Sequence, residues 1–547
     1  MCIKSAAFAL LVGTGIACSA VDFVIVSPPD LRAAWEVYAQ RRHALQPGLD
    51  ITVTGTDAIY AAYPFGPGLA CRNAAESVHA YIREAAQTGV THFLLGGVWL
   101  DVREGHTNEL YFATGEKLSL SNCVPGICVN PYTGNKGGDI PSDMFYACLD
   151  DVANGIAHPW DPNGDGVYLS TAGGTLSRAS EDEFLVCDCV PDVAVGRFAP
   201  VPYAYGGGTN LLSQSELVLA YADKVVRGAQ PSFAGLHRVG VASAEMTHAY
   251  APGSREFGCP GQEICFYDGV PNLWSPSHPD PVADAECAVR EMYRTLIAPN
   301  WPVLEVEVLH GTGPAYATRH ADWSEALASF FAHDMLFATC RSHGTAAATS
   351  GAGLTRTLYA QAEGLTLFGD FCVPCLCGSV DVTQRKNGRT VVMPSLGVAA
   401  TCSPAGGLLA GVFNSRYGWI SEVNSTAVSD GLSGTLAQCL ARRLFVSGDA
   451  SFGLAHLHAR QEYVAAYALT GTRVYALCEQ MLYGDPTLGF PQVEKARSWA
   501  GNVCVTADVA SVTASFTADA AVSGTERFKV MDSLVCNGTN LSFDVRG

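Results

Sequence analysis

The stretch DFVIVSPPDLRAAWEVYAQRRHALQPGLDITVTG, residues 22–55, decides the fold. DFVIVS at 22–27 is an apolar run of strand length, with no polar face to turn to water. That is the pattern of a strand covered on both sides. An amphipathic stretch from Leu31 to Leu45 follows, and DITVTG at 50–55 returns to strand character. A helical stretch over 74–87 and THFLLGG at 91–97 repeat the step. Strand, helix, strand, helix, strand predicts a parallel sheet with helices on both faces.

Working outward, residues 100–185 are rich in Gly, Pro, Asn and Asp and read as loops, and PDVAVGRF at 191–198 returns as a strand. Tyr205-Gly206-Gly207-Gly208 reads as a linker. The alternation then restarts. Helices are expected over 213–228, 323–334 (with Ser324 as its cap), 431–447 and 451–469. Strands are expected over 238–246, 303–309, 335–340, 365–375 and 408–413. From about residue 496 the sequence alternates with period two and is rich in Val and Thr, which predicts antiparallel strands. The fold class is α/β: two three-layer units with mostly parallel sheets, over 21–205 and 206–495, and a small β-rich appendage over 496–547.

The 547 residues carry 33 Lys and Arg against 52 Asp and Glu, a net charge of −19. Such a balance excludes sequence-independent nucleic-acid binding and docking on anionic membranes, both of which need cationic contacts. Lys4, the apolar run Ala6–Val12 and the small residues Ala17-Cys18-Ser19-Ala20 read as a secretory leader over 1–20. No other run could span a bilayer, so a secreted or cell-surface protein is expected. Export permits disulfides among the 20 cysteines. Cys123 with Cys128 and Cys259 with Cys265 are close in sequence, while a chain with its own core can equally keep buried thiols.

The chemistry concentrates at two expected strand ends. One reads Cys340-Arg341-Ser342-His343-Gly344, the next Cys372-Val373-Pro374-Cys375-Leu376-Cys377-Gly378. Functional groups of open parallel sheets gather at the carboxyl ends of strands. Neighbouring strands lie about 4.8 Å apart, so an imidazole and a thiol there can share one cleft. That pair is the minimum for nucleophilic thiol catalysis, and the N–H groups of Gly344 and the cysteine could hold an oxyanion. Cys372 and Cys375 could instead be a disulfide or half a zinc site, but no second such pair completes a metal set. Asp334 and Asp370 are candidates to orient the histidine. Separately, Asp161, Asn163 and Asp165 followed by Gly166 have the opening spacing of a calcium loop; Ala172 stands at position twelve, so the acid that closes an EF-hand is missing. An Asx-rich turn is the other reading.

The chain resembles the gingipain-type cysteine peptidases, family C25, which are similar to caspases in placing His-Gly after one apolar strand and a catalytic Cys after the next. His343-Gly344 and the cysteines after block 365–374 carry that resemblance. Further matches run in order: Phe93–Gly97, Ile140–Tyr146, Trp160–Gly166, Asp192–Arg197, Gly407–Trp419 and Tyr483–Leu488. Ser342 stands where many members have Gly. The resemblance implies two caspase-like units, the second catalytic, and a secreted endopeptidase acting on proteins or peptides. His343 would be the base and Cys375 the nucleophile, with Cys377 the runner-up; Gly344 and Cys375 would supply the oxyanion donors. It implies no cofactor for the chemistry and a structural Ca²⁺ at Asp161, Asn163 and Asp165. Alternatives are an inactive homologue serving as a surface or adhesion module, and a transpeptidase using the same pair.

Overall fold

In a computed structural model the described residues are 22–102, 109–130, 140–149, 160–161, 166, 168–169, 187, 189–207, 210–243, 245–246, 283–284, 289, 292–310, 323–350, 353–371, 382–416, 418, 432–467, 469, 471–491, 503–507, 512–516, 529–530, 535–537, 540–542 and 545–546. The expected leader falls outside them. Ten strands form one sheet: β1 (Phe23–Ser27), β2 (Ile51–Gly55), β3 (His92–Leu95), β4 (Ala194–Arg197), β5 (Arg238–Ser243), β6 (Glu305–His310), β7 (Met335–Arg341), β8 (Leu365–Phe371), β9 (Gly407–Asn414) and β10 (Gln480–Tyr483). Across the sheet they run β6-β5-β7-β8-β9-β10-β4-β3-β1-β2.

Each half has the same doubly wound order. The first is β2-β1-β3-β4, and the second is β6-β5-β7-β8-β9, all parallel within the half. β10 joins them, antiparallel to β9 and parallel to β4. The halves therefore point in opposite directions. The carboxyl ends of β5, β7, β8 and β9 gather at one sheet edge, and those of β1, β3 and β4 gather at the other. Every residue of β1, β7, β8 and β9 is buried, as their predominantly apolar sequences favour.

Helices form where the sequence supplies both a stripe and a cap. In α2 (Ala74–Gln87) the Asn73 side chain accepts from Ala75 and Glu76 N–H. α3 (Gln214–Gly228) opens on a reciprocal Ser213–Glu216 capping box. Helix α4 (Trp323–Ala332) already includes Trp323, so Ser324 lies within the helix and not at its cap.

α1 (Arg32–Leu45) and α3 pack together through Tyr38 and Tyr221, stacked at 5.6 Å. Both rings serve Asp485: Tyr38 Oη donates to its carboxylate at 2.5 Å, and Tyr221 Oη accepts from its N–H at 2.7 Å. Arg42 Nε adds a buried ion pair at 3.2 Å. Asp485 thus ties the first half to the second. Gly484 before it has φ 104°, and a Cβ there would sit 2.2 Å from Leu409 O, so glycine is required. Lys224 is wholly enclosed. Its Nζ donates to Thr401, Gly406 and Leu408 carbonyls at 2.7–3.1 Å, and burial pushes the amine down to about 7.

The stretch over 100–185 is more than loops. Val98–Asp101, Cys123–Val129 and Ile140–Ser142 make a three-stranded side sheet that the sequence reading missed. The Cys123–Cys128 pairing does not fit the fold: the two stand five residues apart on one strand. A strand rises about 3.3 Å per residue and odd spacings face opposite sides, so their Cα atoms lie far beyond disulfide reach. Beyond residue 500, Val503–Ala507 with Val512–Phe516, Lys529–Val530 with Val545–Arg546, and Val535–Asn537 with Asn540–Ser542 form antiparallel pairs. Among the described residues no helix is long and apolar enough to cross a membrane.

Candidate active site

β7 and β8 are adjacent and parallel, with Phe337 opposite Phe368 and Thr339 opposite Asp370. From that last pair the chain runs four residues to His343 and five to Cys375. The two strands that His343 and Cys375 follow in sequence are therefore neighbours in register. The backbone of His343-Gly344 turns into a hairpin, pairing antiparallel with Thr349-Ser350. Ala346 and Ala347 carbonyls accept from the N–H groups of Leu396 and Arg356, which anchors the hairpin on the helices behind it. The His343 side chain and residues 372–380, with Cys372, Cys375 and Cys377, lie outside the described residues.

The rim of this edge is well defined. Arg341, 4% exposed, donates from Nη2 to Gly434 O at 3.1 Å. Asn414 closes β9, fully buried, and Ser415 Oγ donates to Pro141 O at 2.6 Å. The Ser415 N–H donates to Glu479 O, and Ser142 Oγ to Cys478 O. Asn414 and Ser415 belong to the motif flagged in the sequence, whereas Arg341 and Glu479 were not singled out. Residue type could not reveal them, because a buried Glu and a surface Glu look alike in one sequence.

Glu479 is fully buried, and Ser433 Oγ donates to its Oε1 at 3.0 Å. Burial pushes the carboxyl well above the ordinary range, against a smaller downward pull from Ser433. The folded protein keeps this proton where the unfolded chain, above about pH 4.3, has lost it. Stability from this group therefore falls as pH rises through that window. Glu479→Gln is expected to gain stability relative to the parent at pH 8 and less at pH 5, at about 1.4 kcal/mol per unit of pKa shift. Urea midpoints at both pH values measure this; an equal offset at the two would mean that the carboxyl is ionised in the fold.

The candidate orienting acids separate. Asp334 stands at the start of β7, where it pairs with Arg227 and accepts from Leu365 N–H. That is the opposite sheet edge from His343, a full strand away, so Asp334 cannot orient the histidine. Asp370, 1% exposed, is the penultimate residue of β8 and lies at the correct edge.

Ten of the described cysteines are buried. Burial pushes Cys340, Cys402 and Cys123 up to about 12, which holds them as unreactive thiols. A nucleophile must be sought among the others, and 372, 375 and 377 are the ones that follow a strand tip next to His343.

The calcium reading meets an obstacle. Asp161 is buried and ion-paired with Arg72, and its Oδ2 also accepts from Gly166 N–H at 2.9 Å. A guanidinium holds the oxygen a cation would need, so this carboxylate does not fit a calcium ligand; Asn163 and Asp165 lie outside the described residues. Arg72, Glu76, Phe145, Trp160 and Tyr168 line a cavity of about 790 Å³ against α2, built from first-half residues only.

Comparison with known proteins follows from this geometry. The sequence profile of peptidase family C25 matches residues 17–201 and 248–491. The fold is similar to the crystal structure of the Arg-specific cysteine proteinase gingipain R, with TM-score 0.50 and 13% identity, over 90% of this chain and 82% of that one. A complex of the pro- and mature domains of RgpB from Porphyromonas gingivalis gives TM-score 0.48 and 13% identity, over 89% and 82%. No curated protein matches the sequence.

Proposed function

The chain belongs to peptidase family C25, a family of cysteine peptidases, and from that premise we propose that it is a secreted endopeptidase whose dyad is His343 and Cys375. The observation that supports the reading is the β7–β8 register, Thr339 opposite Asp370, which makes the strands that precede His343 and Cys375 in sequence adjacent and parallel. His343 takes the thiol proton and later gives it to the leaving amine. The Cys375 thiolate attacks the scissile carbonyl, forming an acyl-enzyme that water then hydrolyses. The N–H groups of Gly344 and Cys375 receive the oxyanion. Asp370 is the candidate to orient the imidazole. The apolar run over residues 6–12 supports export.

A digest of a peptide library by the purified chain tests the reading, with new termini read by mass spectrometry. Internal cleavage that stops after iodoacetamide treatment is expected. An untouched library, or cleavage that continues at full rate in alkylated protein, would refute it.

A further inference from the structure

A cluster of thiols that the proposed peptidase reaction does not use lies at the amino end of β4, across β9 and β10 from β8. Cys148 follows the short helix Met144–Ala147, and Cys187 and Cys189 precede β4. Cys148 Sγ and Cys187 Sγ are 3.8 Å apart; Cys187 Sγ and Cys189 Sγ are 4.0 Å apart. All three are at most 2% exposed. We propose that Cys148 and Cys187 form a disulfide when the protein folds in an oxidising compartment, with Cys189 remaining a thiol.

The backbone already holds the two segments in register. Asp192 N–H donates to Ala147 O at 2.8 Å, and Leu149 N–H to Asp192 Oδ2 at 2.6 Å. Bonding the sulfurs needs them to close from 3.8 Å to about 2.05 Å, a side-chain adjustment. Within this trio two bonds compete for Cys187, and physics separates them. A Cys187–Cys189 bond would close a small strained ring around a residue whose backbone is already left-handed, with φ 53° at Cys189. A Cys148–Cys187 bond joins residues 39 apart, so it removes far more freedom from the unfolded chain. It would also pin together the two ends of the intervening segment.

A buried cation favours the step. Arg460 is 2% exposed, and among the described residues its Nε has no hydrogen-bond partner. Its Nη1 donates to a thioether, Met144 Sδ, at 3.1 Å. Desolvation lowers the guanidinium to about 10, while Cys478 and Cys148 act to raise it. A thiolate at Cys148 would be stabilised by this charge during exchange. In the reaction two S–H bonds break and one S–S bond forms. Two protons leave, and two electrons pass to a disulfide-class oxidant, which becomes two thiols.

The bond draws on the proposed export, so the oxidant is supplied in vitro, where failure of export or of peptidase activity leaves the sulfur chemistry intact. The full chain is refolded from urea in a glutathione redox buffer, denatured in iodoacetamide, and digested with trypsin for tandem mass spectrometry. A Cys148–Cys187 cross-link with Cys189 alkylated is expected. All three alkylated, a Cys187–Cys189 bond, or Cys148 joined elsewhere each overturns the proposal. As a second readout, reduction should lower the melting temperature of the wild type and of Cys189→Ser by roughly 5 °C. An unchanged melting temperature in both would count against the bond.

Discussion

Cys375→Ala is expected to yield a folded protein whose peptide hydrolysis falls by about 10⁴-fold or more. That is the scale of removing a nucleophile from an acyl-transfer site. His343→Ala should cost about as much, and the double variant no more than either single one, because the two act in one step. Cys377→Ala and Cys372→Ala should retain activity near the parent level. The assignment rests on reach. The described thiols nearest in sequence are buried and inert, as Cys340 illustrates with its proton held to about 12. The cysteines after Phe371 follow in sequence the strand that lies beside the one ending before His343. Initial rates on one cleaved peptide decide the matter: loss in Cys377→Ala with Cys375→Ala unharmed would move the nucleophile two residues on.

The largest effect on stability is expected at Arg197 and Asp143. Arg197 is fully buried at the end of β4. It meets Asp143 through two bonds, Nε to Oδ2 at 2.8 Å and Nη2 to Oδ1 at 2.7 Å. The remaining guanidinium protons go to carbonyls of Gly97, Val124 and Pro125 at 3.3–3.4 Å. Burial alone would strip the charge, but the Asp143 carboxylate outweighs it and raises the guanidinium above its usual value. Asp143→Ala leaves that cation enclosed without a counter-charge. A loss of about 3–5 kcal/mol is expected in urea unfolding, and Asp143→Ala with Arg197→Met should lose clearly less than the sum of the single changes. A single-variant loss under 1 kcal/mol would show that water or relaxation solvates the guanidinium.

Much of the scaffold was legible because strand and helix leave periodic marks. DFVIVS read as a strand covered on both faces and 74–87 as a helix, and both formed. That the strands before His343 and before Cys372 are neighbours was also readable, since consecutive strands of a doubly wound unit tend to be neighbours. The side sheet was not legible. Its strands are short, and Cys123–Val129 contains Pro and Gly, which read as loop.

The sequence by itself determined the α/β class and the order of the main-sheet strands in the two halves, including the pair that precede His343 and Cys372. Those follow from local periodicity. Only the tertiary structure decided that the two halves share one sheet through β10 and run in opposite directions. It also decided that Asp334 belongs to the far edge, that Asp161 is spent on Arg72, and that Cys148 meets Cys187. Each of these joins residues distant in sequence, and which distant groups meet is set by how faces are buried against one another, which no local pattern records.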